Sequence, residues 1–97
     1  MRALPYAQEA NVIRRPNTML LGDPIPCSIW PTRTRTAASG LTWDHEGETP
    51  LEWADTLALS NVVLVVDTVQ YAVVEVQRNE FLPHAALRLR RSAPSGA

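Results

Sequence analysis

The clearest period along the chain is two. Val69, Tyr71 and Val73 alternate with Gln70 and Ala72, the pattern of a half-buried strand. After Val73 the apolar phase slips by one position, so that Val74 and Val76 become apolar while Glu75 and Gln77 become polar. A β-bulge near Val73 would keep both sets inward. Upstream, residues 62–66 form an unbroken valine-rich run, which predicts a strand covered on both faces, as in a barrel packed within a ring. Asp67 and Thr68 make the turn between these two strands. Residues 78–83 read as a loop. The final strand runs from His84 to about Arg90, with Ala85, Leu87 and Leu89 inward and Arg88 and Arg90 outward.

The first half of the chain is less regular. Residues 1–10 show no period and predict an irregular N-terminal arm. A short strand begins at Val12 and Ile13 and ends at Arg15, before Pro16. Leu20 and Leu21 run into a turn at Gly22, Asp23 and Pro24, and Pro24 and Pro26 keep the backbone extended up to Cys27. Over residues 27–36, Thr32, Thr34 and Thr36 alternate with Arg33 and Arg35, a strand with both arginines on one face. Pro31 places that strand at an edge or a bulge, because proline cannot donate to a sheet ladder. Ala37, Ala38, Ser39 and Gly40 make a turn, and residues 41–43 start the returning strand.

One helix is predicted, over residues 50–59. Thr49 and Glu52 have capping-box spacing, Pro50 occupies the first helical position, and Leu51, Ala54 and Ala58 share a face with Leu57 alongside. An extended loop is the rival reading, since a Thr-x-x-Glu spacing arises often by chance. Residues 92–97 have the composition of a disordered tail. The fold class that follows is mainly β: a small β-barrel or sandwich with one short helix and extended loops.

Composition narrows this picture. The 97 residues make one domain, 1–97, because a single core usually takes roughly 100 to 150 residues. Eight prolines and four glycines break the chain into short segments, as all-β domains require. A net charge of −1 gives no general attraction to nucleic acid or to an anionic membrane. Charge is uneven, however. Residues 44–55 hold five acids and no arginine, whereas Arg88, Arg90 and Arg91 cluster near the C-terminus. Such separation suits complementary docking between like subunits, with solvated surface as the equal alternative. All nine basic side chains are arginine, whose planar fork pairs bidentately with carboxylates. A GC-rich genome would give the same bias. The longest apolar run is far short of the roughly 20 residues of a membrane helix. The stretch holding Pro5, Gln8 and Glu9 lacks the apolar region of a signal peptide, so a soluble intracellular product is expected, and a virus particle built in the cytoplasm would look the same.

Candidate chemistry is sparse. Cys27 cannot form an internal disulfide. Paired with His45 or His84 it could form a thiolate and imidazole couple, but no local pattern surrounds the three, and a buried cysteine beside prolines is the simpler reading. They are too scattered for zinc. Asp44, Glu46, Glu48, Glu52 and Asp55 do not match a calcium loop. No catalytic residue, cofactor site or metal site is expected. Trp30, Trp43 and Trp53 divide between core filling and docking hot spots, and spacing does not decide which. The residues expected at interfaces are Arg33, Arg35, Trp43, Asp44, Glu46, Glu48, Trp53, Arg88 and Arg90. For the two arginine pairs, solvated faces are the default, acidic partner surfaces the sharper reading and DNA the third.

Taken in order, Arg15 with Pro16, the turn near Gly22 and Asp23, the Pro-x-Cys-x-x-x-Pro stretch (Pro26, Cys27, Pro31), the VVLVVDTVQYAVVEV hairpin and the following PHAALRLRR resemble the small head-closure, or stopper, proteins of tailed phages. The likeness covers about residues 11 to 91. It implies a small β-barrel whose copies form a ring, expected to be hexameric, between the portal-adaptor complex and the tail. That ring closes the DNA channel, with non-specific contact to the DNA inside, and no member is an enzyme. The expected location is the head-to-tail interface of the virion. Thr68, where a turn glycine is common, and the tryptophan-bearing acidic insert depart from the pattern. They leave open a tail-completion or tail-terminator role. An OB-like nucleic-acid-binding module is the alternative from another class, and a small cysteine enzyme the third.

Overall fold

The computed structural model describes residues 6–15, 22–78, 81 and 83–92. Six strands form in chain order: β1 (Gln8–Arg14), β2 (Ile25–Thr36), β3 (Thr42–Pro50), β4 (Val62–Val66), β5 (Val69–Arg78) and β6 (His84–Arg91). Between β3 and β4 lie a 3-10 turn, Leu51–Trp53, and a single turn of helix, α1 (Ala54–Leu57). The strands close into an antiparallel barrel in the order β1-β2-β3-β6-β5-β4. The chain is a mainly β protein with one short helix.

Closure depends on β1 changing partners. Gln8, Glu9 and Ala10 pair with Cys27, Pro26 and Ile25 of β2, and Asn11, Val12, Ile13 and Arg14 pair with Val65, Leu64, Val63 and Val62 of β4. The expected arm over residues 1–10 is therefore corrected: Gln8, Glu9 and Ala10 are strand, and Ala10 is fully buried. The strand starts earlier than Val12 and ends at Arg14 rather than Arg15. Each half is only three or four residues long, too short for a two-residue period to register. Residues 1–5, Pro16, Leu20, Leu21 and residues 93–97 of the expected tail lie outside the described residues.

The barrel interior takes the alternate residues. Ala10 and Val12 of β1, Ile25 and Cys27 of β2, Val62, Leu64 and Val66 of β4, and Leu87 and Leu89 of β6 form one cluster, capped by Leu57 of α1. Burying each large aliphatic side chain of this set contributes about 1.5–3 kcal/mol. On β4, Val63 points to the other face yet is only 6% exposed, flanked in register by Ile13 and Ala72. Both faces of this strand are thus covered, but within one chain, so the run says nothing about a surrounding ring.

The phase slip in β5 is a bulge. Val73 pairs with Leu89 and Glu75 with Arg88, with the register shift between them. Val73 and Val76 pack on the core, as expected for inward positions. Val74 is the extra residue of the bulge and lines an outer groove instead, which corrects its inward assignment. In the β4–β5 turn the positive-φ residue is Asp67, at φ 55°, a conformation aspartate tolerates. Thr68 therefore needs no glycine.

The expected helix over residues 50–59 is present but shorter, running as a 3-10 turn and one α turn from Leu51 to Leu57. Thr49 and Pro50 belong to β3, paired with Ala85 and His84 of β6, and the Thr49 hydroxyl donates to the Pro26 carbonyl at 2.9 Å rather than capping a helix. Continued pairing on the sheet outweighs a capping box worth about 1 kcal/mol. Only Ala54 and Leu57 of α1 are buried, while Ala58 is exposed. β2 and β3 form a long hairpin whose far end, from Pro31 to Trp43, extends past the pairing with β6. A register shift between Pro31 and Arg35 marks a bulge there. Ile29 N donates to the Gln8 side chain on the β1 side, so the backbone position of Pro31, two residues on, faces the same open side. Pro31 therefore lies both at a bulge and at an open edge.

Candidate interaction surface

The wall built by β2, β3, β6 and β5 carries a cross-strand row of outward residues: Trp30, Glu46, Arg88 and Glu75 in register. The next row holds Ser28, Glu48, Ala86 and Gln77. Side chains two apart on a strand share a face, so both rows belong to one surface. Arg88 Nη1 donates to Glu75 Oε1 at 2.7 Å, and its guanidinium carbon lies 4.4 Å from the centroid of the Trp43 ring. The Trp43 indole N–H donates to Glu46 at 3.4 Å. The stack satisfies Arg88 twice, through a charge-assisted hydrogen bond and through the aromatic quadrupole.

Two expected docking residues thereby change role. Trp43 is only 5% exposed and serves as the bed for Arg88 rather than as a free hot spot. Trp53 is half-buried and packs on the barrel core, with its indole nitrogen buried and without a hydrogen-bond partner among the described residues. Trp30, which spacing could not single out, is the exposed indole at 39%. Its position immediately before Pro31, on the strand that carries Arg33 and Arg35, was the available signal.

The carboxylates divide in the same way. Asp44 accepts from the His45 ring and from the backbone N–H of Arg91, at 2.9 and 3.0 Å. Burial pushes its carboxyl up, but these hydrogen bonds outweigh burial and hold it below the usual carboxylate range. Asp44 is thus a clasp between β3 and the end of β6. His45 also packs edge-on against Tyr71, 5.1 Å between ring centroids. Glu48 faces His84 at 3.6 Å. Glu46 makes no ion pair among the described residues. Asp55 pairs with Arg78. A hollow of about 240 Å³ opens between Trp30, Glu46, Glu48, Gln77, Ala86 and Arg88. Beneath it, Gly47 allows close strand approach, since a Cβ there would lie 2.7 Å from the Ser28 carbonyl oxygen.

Arg33 and Arg35 stand on the projecting hairpin, exposed and without an ion pair among the described residues. Arg90 is exposed and lines a separate outer groove of about 760 Å³ with Leu41, Leu59, Val63 and Val74. The two arginine pairs are therefore not one patch, and Arg88 is already committed to Glu75. That groove, with Leu41 and Leu59 about half exposed, was not legible in the sequence because it joins a hairpin tip to the segment after α1.

Cys27 is fully buried, and burial pushes its thiol up to about 11, the reverse of what a nucleophile requires. The two imidazoles have carboxylate partners instead, Asp44 for His45 and Glu48 for His84. Among the described residues no cluster of three or more His, Cys, Asp or Glu is placed to hold a metal ion, and no helix is long and apolar enough to cross a membrane. No family model, no curated protein and no solved structure matches this chain.

Proposed function

We propose that this protein is a non-enzymatic structural subunit of a tailed-phage head-to-tail connector, a stopper-type ring component between the portal-adaptor complex and the tail. One observation carries the reading. A small closed barrel presents an arginine-bearing hairpin whose charges have no ion pair among the described residues and, on its wall, carboxylates with an exposed indole. Each copy therefore offers both halves of a head-to-tail contact, and such heterologous contacts close into rings when the rotation allows it. The resemblance in the valine-rich hairpin, residues 62–76, and the barrel fold itself point the same way.

The test is negative-stain imaging of the purified protein mixed with portal-adaptor complexes. The expected result is an added ring of density at the channel exit, and failure to bind any such complex overturns the reading. Binding to tail tubes alone reassigns the subunit to tail completion or termination. The nucleic-acid alternative draws on Trp30, Arg33 and Arg35 sharing one strand. Glu46, directly opposite Trp30, repels phosphate from that indole and disfavours it. A gel shift at low ionic strength that fades steeply with salt would establish it instead.

A further inference from the structure

Resting on the connector reading, we infer that the hollow beside Trp30 is a guanidinium socket, and that its occupant is Arg33 or Arg35 of a second copy of this chain. The molecule already contains the filled form of this chemistry. Arg88 lies 4.4 Å from the Trp43 ring and is held by Glu75 at 2.7 Å. Trp30 and Glu46 repeat the same pair of groups, one indole and one carboxylate in register, with Glu48 two residues along the same face. Arg88 lines the hollow in register with Glu46 but is held by Glu75, and among the described residues Glu46 has no ion pair.

The charges on the hairpin are the complement. Arg33 and Arg35 are exposed and unpaired among the described residues, and the chain has no lysine. A planar guanidinium stacks on an indole and donates two parallel hydrogen bonds to a carboxylate, which an ammonium cannot do equally well. A hollow of about 240 Å³ accommodates one such side chain. Arg33 and Arg35 are not among the residues that line the hollow, so one copy's hairpin entering the next copy's hollow makes a contact that repeats from copy to copy.

Sedimentation velocity of the purified protein from micromolar to millimolar concentration tests the socket. Wild type is expected to self-associate, and Trp30→Ala is expected to weaken association about tenfold or more with an unchanged circular dichroism spectrum. R33E/R35E and E46R/E48R are each expected to remain monomeric, whereas an equimolar mixture of the two associates, because each supplies the charge the other lacks. Absence of wild-type association at about 1 mM, an unaffected Trp30→Ala, or an inert mixture of two folded variants overturns the socket. If E46R/E48R fails to fold, Trp30→Ala and R33E/R35E decide alone.

The same proteins separate this inference from the connector reading. Trp30→Ala that still completes a ring on portal-adaptor complexes refutes the socket and leaves the connector standing. Wild type that associates through Trp30 but binds no such complex does the reverse.

Discussion

At the scale of single residues, environment overrides residue type. Three tryptophans have three fates: Trp43 is the bed of a guanidinium stack, Trp53 packs on the core and Trp30 faces solvent. Cys27 shows the same point through its ionisation. Its thiol is raised from about 9 to about 11 by burial, so the folded state favours the protonated form. Stability from this group is fully present below the unfolded value and is lost as pH rises through the folded one. Relative to Cys27→Ala, wild type is expected to lose about 2–3 kcal/mol between pH 9 and 11, measured by urea unfolding across that range. In the folded protein at pH 8, iodoacetamide is expected to leave Cys27 unmodified by mass, with labelling once the chain is unfolded.

At the scale of elements, β3 is the strand on which the surface is organised. It carries Asp44, Glu46 and Glu48, pairs with β2 on one side and β6 on the other, and runs on into the hairpin. Asp44 fastens this strand to the end of β6 through the Arg91 N–H. Its carboxyl is held low, so its contribution is present above the ordinary carboxylate pKa of about 3.9 and disappears as pH falls below that value. The expected outcome is a wild-type advantage in Tm over Asp44→Asn at neutral pH that is lost as the carboxylate is protonated in acid, read by circular dichroism melts. An advantage that persists in acid would show that Asp44 acts by shape and not by charge.

At the scale of the whole molecule, cohesion and docking rest on different forces. The barrel is held by an apolar interior, which salt screens little, whereas the inferred contact between copies joins exposed charges. Screening shortens from about 10 Å at 0.1 M to about 3 Å at 1 M ionic strength. Self-association is therefore expected to weaken as NaCl rises through that range, followed by sedimentation, while Tm stays nearly constant. A Tm that falls in parallel would place the charges in the fold itself.

The sequence by itself determined the mainly β class, the inward set of β6, the Asp67–Thr68 turn and the position of the β5 bulge, because a two-residue alternation is local and survives in the order of residues. It also placed Arg33 and Arg35 on a strand that leads into a turn, but not Asp44, Glu46 and Glu48 on a sheet wall. Tertiary structure alone decided the rest. Thr49 and Pro50 carried a helix-start signal, yet two neighbouring strands offered their backbone a better ladder. β1 looked irregular because it is shared between β2 and β4. Which tryptophan is exposed, which arginine is already paired and which carboxylates lack a cation depend on strand order and register, and these arise from contacts between segments far apart in the chain.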